Sequence, residues 1–470
     1  METIRMSARI TATEEKAKQI NLDSRFYGTF AEIGAGQEVA RWFFRVGGAA
    51  GTVAKSMSAY DMQFSDAIYG KGERYVSMDR LHHMLEYEYA LIMERLNEKR
   101  GAKSAFFVFA NTVSARNYLG TNECHGWLGI KFQIQPNAEP NYVVIHVNML
   151  DKENVQQQEA LGIIGVNLIH SAFYLHSEPD LFITALLDGL SSARIEVDMI
   201  KFYGPYFGNV DNRLMALNLV QEGLTDAALL APTGEVIQPS EYFHKKNIVI
   251  ERGSFRPVTY VNLDMLETAR KESAPSNPPD TDTVEVMEIT MRNLLATGEI
   301  DHRDFLSRAD LIGAVGKAVL ISNYAEYYRL AAYLWRYTKN HISIVVGIPN
   351  LREILDEKYY HTLEGGILES FGRLFKNDLK LYVYPFRDPS LGTTTTLKDM
   401  DVPKHLCHLF THLRENGSVM PITGANPAYG HIFSRNVLAK IRSGEDDWET
   451  MVPPEVSKII KDRHYFGYQA

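Results

Sequence analysis

Between Ile248 and Glu272 the chain reads IVIERGSFRPVTYVNLDMLETARKE. Ile248, Val249 and Ile250 make a strand, Gly253–Pro257 a turn, and the rest an amphipathic helix. A strand that ends in a glycine turn and opens a helix leaves backbone N–H groups unpaired. Those groups and the helix dipole favour an anion, most often phosphate. Gly253 allows a tight turn and close approach by a ligand. Ser254 adds a hydroxyl donor, and Pro257 sets the geometry of the helix entry. An ordinary strand-to-helix turn capped by Ser or Thr satisfies the same pattern. Arg256, Lys245 and Lys246 are near enough in sequence to reach a phosphate, but read better as solvated surface charges.

Three other stretches carry residues capable of chemistry. ARIEVDMIKF places Glu196 and Asp198 on one face of a strand, with Ile195, Val197 and Met199 on the other. Two neighbouring carboxylates could hold Mg²⁺ or share a proton, or simply mark a wet strand face. TNECHGW gathers Glu123, Cys124 and His125, a cysteine nucleophile only if a remote histidine serves it. GGAAGTVAKS, residues 47–56, has the glycines of a phosphate loop. Its lysine does not follow the last glycine directly, so close helix packing through small residues explains it better.

These residues must be positioned by elements. The spacing predicts a helix over Gln37–Val46 and a long one over Ser77–Arg100, capped by Ser77 with Asp79 in its first turn. Strands are expected at Ser104–Ala110, Asn141–Leu150, 193–202 and 226–232, with a helix at 211–223. MLDKENVQQQEALG, residues 149–162, reads as a binding surface or a helix start, and 271–283 as an exposed loop. Strand and helix then alternate to residue 384, which argues for parallel sheets covered by helices. RGSFRPVT (252–259) and NGSVMPIT (416–423) share Gly, Ser, Pro and Thr at equal spacing. Chance or a shared turn geometry accounts for that better than duplication.

The 470 residues suffice for more than one domain, and 45% hydrophobic with 23% charged content is ordinary for a globular protein. A net charge of −9 argues against general nucleic-acid binding, which needs clustered Lys and Arg. Two cysteines, Cys124 and Cys407, exclude a disulfide framework and a multi-cysteine metal site. No stretch has the apolar length of a membrane helix, and the N-terminus lacks the apolar core of a signal peptide. The expectation is a soluble, cytoplasmic protein.

GSFRPVTYVNLDMLETARK resembles the first signature of the nicotinate/nicotinamide mononucleotide adenylyltransferases, members of the nucleotidylyltransferase superfamily. Gly253, Ser254, Phe255, Pro257, Thr259, Leu263, Glu267, Ala269 and Arg270 fit the pattern. ISIVVGIPNLREI, with Gly347, is similar to the family's later strand and helix. IFSRNVLAKIRSGEDDWETMVPPEVSKII resembles its C-terminal signature through Ile432, Ser434, Val437, Ile441, Arg442, Gly444, Val452, Pro453 and Val456. The resemblance covers about residues 245–470. Together with the strand–helix alternation it leads to the expectation of an α/β protein with Rossmann-like parallel sheets, helices on both faces and two domains, 1–245 and 246–470, the first of unknown role because the resemblance says nothing of it. The resemblance implies ATP and Mg²⁺ and a small-molecule nucleotide acceptor, and a homo-oligomer is a further expectation. Asn262 stands at the family's catalytic position, and Arg435, at the family's Thr position, is the residue expected to supply the catalytic guanidinium from one turn away. Gly253, Ser254, Phe255, Thr259, Gly347 and Ser434 take the nucleotide-contacting ones, and no metal ligand is assigned. The family has His where Asn262 stands, and a phosphate-binding Arg where Leu438 stands. Asn donates a hydrogen bond but carries no charge. Two readings follow: adenylyl transfer, or a nucleotide-binding or regulatory protein that has lost the chemistry, with any separate activity in the N-terminal half.

Overall fold

The computed structural model describes residues 10–274, 281–389 and 391–469. The chain divides into two compact α/β units, Met1–Thr225 and Asp226–Ala470. The second begins before residue 246 because the strands Ala227–Leu230 and Val236–Ile237 extend its sheet.

The first unit is built on six strands: β1 (Phe26–Ile33), β2 (Val53–Ser58), β3 (Ala105–Ser114), β4 (His125–Phe132), β5 (Asn141–Met149) and β6 (Ile195–Tyr203). Their order is β2-β1-β3-β4-β5-β6. β1 is parallel to both its neighbours, but β3 through β6 form an antiparallel meander. The parallel arrangement expected from sequence therefore holds for three strands of this sheet. β4 decides the difference, and its two glycines and lysine hide it among turn signals.

One face of the sheet packs Leu128, Ile130, Val143, Ile145 and Val147 into an apolar cluster with the helix Asn154–Tyr174. That helix is where 149–162 read as a helix start. It is buried nearly all round, so its sequence shows little periodicity. Gly165 lets it approach the helix Glu38–Arg45, since a Cβ there would lie 2.3 Å from Val39 Cγ2. The other face meets the helix Met78–Arg100. Leu81 and Leu85 sit over Gly129 of β4, and Ser77 caps the helix by accepting from Arg80 N at 3.1 Å.

The second unit contains β7 (Ala227–Leu230), β8 (Val236–Ile237), β9 (Asn247–Arg252), β10 (Thr283–Thr290), β11 (Ala318–Ser322), β12 (Ile342–Gly347) and β13 (Leu379–Tyr384). A small hairpin, β14 (Phe386–Arg387) and β15 (Thr394–Thr395), precedes β16 (Val419–Pro421). The main sheet runs β16-β13-β12-β9-β10-β11-β7-β8. The six strands β9–β13 and β16 are mutually parallel, while β7 and β8 add an antiparallel edge. Numbered among themselves, those six follow the doubly wound 3-2-1-4-5-6 order.

Alternation along β9 sets the two faces. Ile248 and Ile250 join the apolar cluster of the helix Tyr327–Tyr337, while Glu251 turns to the helix Tyr260–Ser273. β10 begins inside the stretch read as a loop, and residues 275–280 of that stretch lie outside the described ones. The repeated Gly-Ser-Pro-Thr pattern is one of sequence alone. Gly253–Ser254 follow a strand, whereas Gly417–Ser418 precede one.

Candidate functional sites

In an open parallel sheet, ligands bind beyond the carboxyl ends of the strands where the strand order reverses. Here the order reverses between β9 and β12. β9 runs into Gly253, and the register pairing Val345 with Glu251 puts Gly347 level with Gly253 on the next strand. Gly253 N donates to Glu288 O at 3.1 Å, holding the turn to β10. Phe255 is buried with φ of 46°, and the Arg256–Pro257 peptide is cis. Arg308 Nη1 donates to Ser254 O at 3.2 Å, and Arg256 and Arg308 both pair with Asp304. Arg256 is thereby committed to the turn's own support. The N–H groups of Ser254 and Phe255 are engaged by neither the sheet nor the loop, and the Ser254 side chain is exposed.

Thr259 and Asn262 start the helix Tyr260–Ser273 with a capping box. Asn262 Oδ1 accepts from Thr259 N at 3.0 Å and from Thr259 Oγ1 at 2.8 Å. Its amide donates to Glu251 Oε1 at 2.7 Å. Asn262 is buried, and its amide nitrogen already serves a partner within the protein. Glu251 is buried too, its Oε2 has no partner, and burial pushes its carboxyl up to about 8. Beside it, Glu288 accepts from Arg252 at 2.8 and 3.0 Å and from Ser322 at 2.5 Å, tying three strand ends together.

Ser434 and Arg435 open the helix Ser434–Ser443, and the Arg435 side chain is exposed. The segment leading to them is fastened along the helix Tyr260–Ser273. The Tyr260 and Tyr429 rings stack at 5.3 Å. Asp264 Oδ2 accepts from Asn426 N at 2.9 Å and from the Tyr384 hydroxyl at 2.5 Å. Glu272 Oε1 accepts from Thr423 N and Gly424 N, each at 2.8 Å. The turn and its cap thus form one local constellation with Gly347 beside it. Ser434 and Arg435 belong to a separate element, and it is the segment before them, Thr423 to Tyr429, that is held against the same helix.

The first unit has its own polar cluster, on the sheet face opposite the apolar one. His146 Nδ1 lies 2.6 Å from Asp198 Oδ1, and His146 Nε2 lies 3.0 Å from His125 Nδ1. The His146 and Asp198 side chains are each 1% exposed. Asn148 Nδ2 donates to Asp198 Oδ2 at 3.0 Å and to Glu196 Oε2 at 3.2 Å, and Thr225 Oγ1 donates to Glu196 Oε1 at 2.7 Å. Asp198 is the extra residue of a β-bulge, since Val147 pairs with Val197 and His146 with Met199. With Asp198 ionised, His146 donates from Nδ1 and accepts at Nε2. His125 then donates from Nδ1 and keeps a lone pair at Nε2. Burial holds the His125 imidazole down at about 4, with His146 adding to the effect.

Glu196 and Asp198 share a face, as their spacing predicts. His146 was missed, although VVIHVNM carries a signal: His and Asn two apart inside an apolar strand. Cys124 packs against the apolar cluster, away from the face His125 occupies, so the two do not form a nucleophile and base. Lys55 of the glycine-rich stretch pairs with Glu88. Among the described residues, no group of three or more His, Cys, Asp or Glu is arranged to hold a metal. No described helix is long and apolar enough to cross a membrane.

No family model and no curated protein matches the chain. Solved structures do. One is a competence/damage-inducible protein, CihA, from Agrobacterium tumefaciens, at 17% identity and TM-score 0.26 over 35% of this chain and 97% of that one. Another is a competence-damaged protein (CinA) superfamily member from Enterobacter cloacae, at 11% identity and TM-score 0.26 over 37% and 98%. A third, of the same superfamily and from Escherichia coli, has 14% identity and TM-score 0.24 over 36% and 94%. Each covers about a third of this chain, and none assigns it a family.

Proposed function

We propose that the second unit binds ATP at the β9–β12 switch point and transfers its adenylyl group to nicotinate or nicotinamide mononucleotide. The observation that carries this reading is the Gly253–Phe255 turn, with free N–H groups, at the strand-order reversal of a 3-2-1-4-5-6 sheet. An oxygen of the acceptor's 5′-phosphate attacks the α-phosphorus, the bond to the β-phosphate oxygen breaks, and pyrophosphate leaves. No covalent enzyme intermediate is needed, so catalysis is positioning and charge neutralisation. The N–H groups of Ser254 and Phe255 and the Ser254 hydroxyl suit the triphosphate. Arg435 is the cation offered to it, with Ser434 at the same helix start. Mg²⁺ fits as an ion held mainly by phosphates and water, because the turn supplies no carboxylate pair.

The test is pyrophosphate release by the full chain with ATP, Mg²⁺ and a panel of mononucleotides. The expected result is release that requires a nicotinate or nicotinamide mononucleotide and falls at least 100-fold in Ser254→Ala, Arg435→Ala. ATP binding without release for any acceptor overturns adenylyl transfer. It selects the reading favoured by Asn262, whose amide is tied to Thr259 and Glu251: a nucleotide-binding protein without the chemistry.

A second activity in the first unit is favoured by the Asp198–His146–His125 chain, which suits proton transfer at His125 Nε2. Histidine NMR titration of the intact protein is the check. Asp198→Asn should move the His125 titration, and an unmoved His125 rules out the relay.

A further inference from the structure

The second unit carries a large groove away from the switch-point turn, with a cavity volume of about 1210 Å³. It opens between the helices Tyr327–Tyr337 and Gly366–Leu374, which pack on each other. Arg329, Ala332, Tyr333 and Arg336 follow the i, i+3, i+4, i+7 spacing of one helix face, and Lys339 continues the line. Arg373 and Lys376 face them from the second helix and the residues after it. Five cationic side chains thus line one groove in a chain whose net charge is −9.

Such a concentration repels itself and is relieved by a bound anion. Two of the partners inside the protein are weak competitors. Arg329 lies 3.2 Å from Glu326 and Arg373 lies 2.6 Å from Glu369, both exposed pairs of the kind that contribute little. The floor is aromatic, formed by Tyr324, Tyr328, Tyr333 and Trp335, all buried. Trp335 Nε1 has no acceptor within the protein. Ala332, small and exposed, leaves the middle of the groove open.

The two carboxylates in the lining, Asp226 and Asp378, stand at opposite ends. Asp226 precedes β7, beside the carboxyl end of β11, and Asp378 precedes β13 at its amino end. They bound the cationic stretch, which favours a compact anion over a polymer running through. Guanidinium forks match the paired oxygens of phosphate and carboxylate alike, and several cations along one groove suit the multiple charges of a phosphate chain.

We infer that this groove is a binding site for a small polyphosphate-bearing ligand, separate from the switch-point turn. The site recognises the phosphate chain, whether free or part of a nucleotide.

The experiment is calorimetric titration of the full chain with inorganic tripolyphosphate, ATP and a single-stranded oligonucleotide, at low and at physiological salt. The variants are Arg336→Gln, Arg373→Gln in the groove and Ser254→Ala at the turn. All three positions are exposed, and circular dichroism verifies folding. The groove variant should lose a tripolyphosphate-binding event, or weaken it at least tenfold, that is separate from any event lost in Ser254→Ala, and that event should weaken with salt. ATP binding tighter than tripolyphosphate through the same arginines identifies a nucleotide, and equal binding identifies the phosphate chain alone. No tripolyphosphate binding by the wild type, or a groove variant that keeps every binding event of the wild type, overturns the proposal. So does tighter binding of the oligonucleotide through the groove arginines. Because tripolyphosphate cannot react as an adenylyl donor, the outcome is independent of whether the turn catalyses anything.

Discussion

The two sheets handle polar residues in opposite ways. The antiparallel part of the first carries Asp198, His146, Asn148 and Glu196 on one face, in the body of the sheet. The parallel sheet of the second keeps its strand bodies mostly apolar and gathers Glu251, Arg252 and Glu288 toward the carboxyl ends, with Asn262 at the adjoining helix start. An antiparallel sheet can leave one face polar, whereas parallel strands covered by helices on both sides cannot. In the second unit the polar groups therefore collect where the strands stop. That is also where a doubly wound fold places its ligand crevice. A polar cluster in a sheet body depends on its internal partners, and one at strand ends is free to use an external one.

The sharpest way to break this contrast is to remove Asp198. Asp198→Ala leaves the His146 Nδ1–H and a donor of Asn148 without their acceptor in a buried place. The expected cost is about 3–4 kcal/mol, read as a shift in the urea transition. Asp264→Ala, at the rim of the second sheet, should cost about 1 kcal/mol. Equal costs would erase the distinction.

The next effect is one of pH. Glu251 titrates at about 8 when folded, above the ordinary value of 4.5. Between those values the unfolded chain has lost the proton that the folded protein keeps, so stability falls as pH rises. Glu251→Gln should remove a loss of about 3 kcal/mol between pH 5 and 8. A variant whose urea midpoint tracks the wild type across that range would show that Glu251 is already ionised.

His125 has the opposite sign. Its folded value, about 4, lies below the ordinary 6.5. Between those values the unfolded chain binds a proton that the folded protein refuses, so stability rises with pH and is complete above 6.5. His125→Gln should relieve an acid sensitivity of about 2 kcal/mol near pH 4.5 and change nothing of this kind at pH 7. A relief that persists at pH 7 would place its cause outside titration. The smallest effect belongs to the helix start at the switch point. Thr259→Ala should cost about 1 kcal/mol by removing the cap, and unchanged stability would mean that Asn262 holds the helix start unaided.

Local signals were legible wherever one residue type does one job. The Ser77 cap and the Gly253 turn are examples, because each depends on the conformation of a few consecutive residues. β4 was not legible, since glycine and lysine inside it read as turn signals until neighbours on both sides make it a strand. Nor was the duty of Asn262. A helix-start amide reads the same in sequence whether it faces a phosphate or Glu251 eleven residues earlier.

What the sequence determined by itself was therefore short in range: the strand-to-helix turn at Gly253, the alternation that makes an α/β chain, and the shared face of Glu196 and Asp198. The physical reason is that capping, φ preference and periodicity act within a turn or two of the chain. Tertiary structure alone decided that β3 through β6 run antiparallel, that a bulge aims Asp198 at His146, and that β9 and β12 meet at a reversal of strand order. It alone set two cationic helix faces opposite each other. Each of these depends on pairing between segments far apart in the chain, where register and side-chain complementarity settle an arrangement that no local stretch encodes.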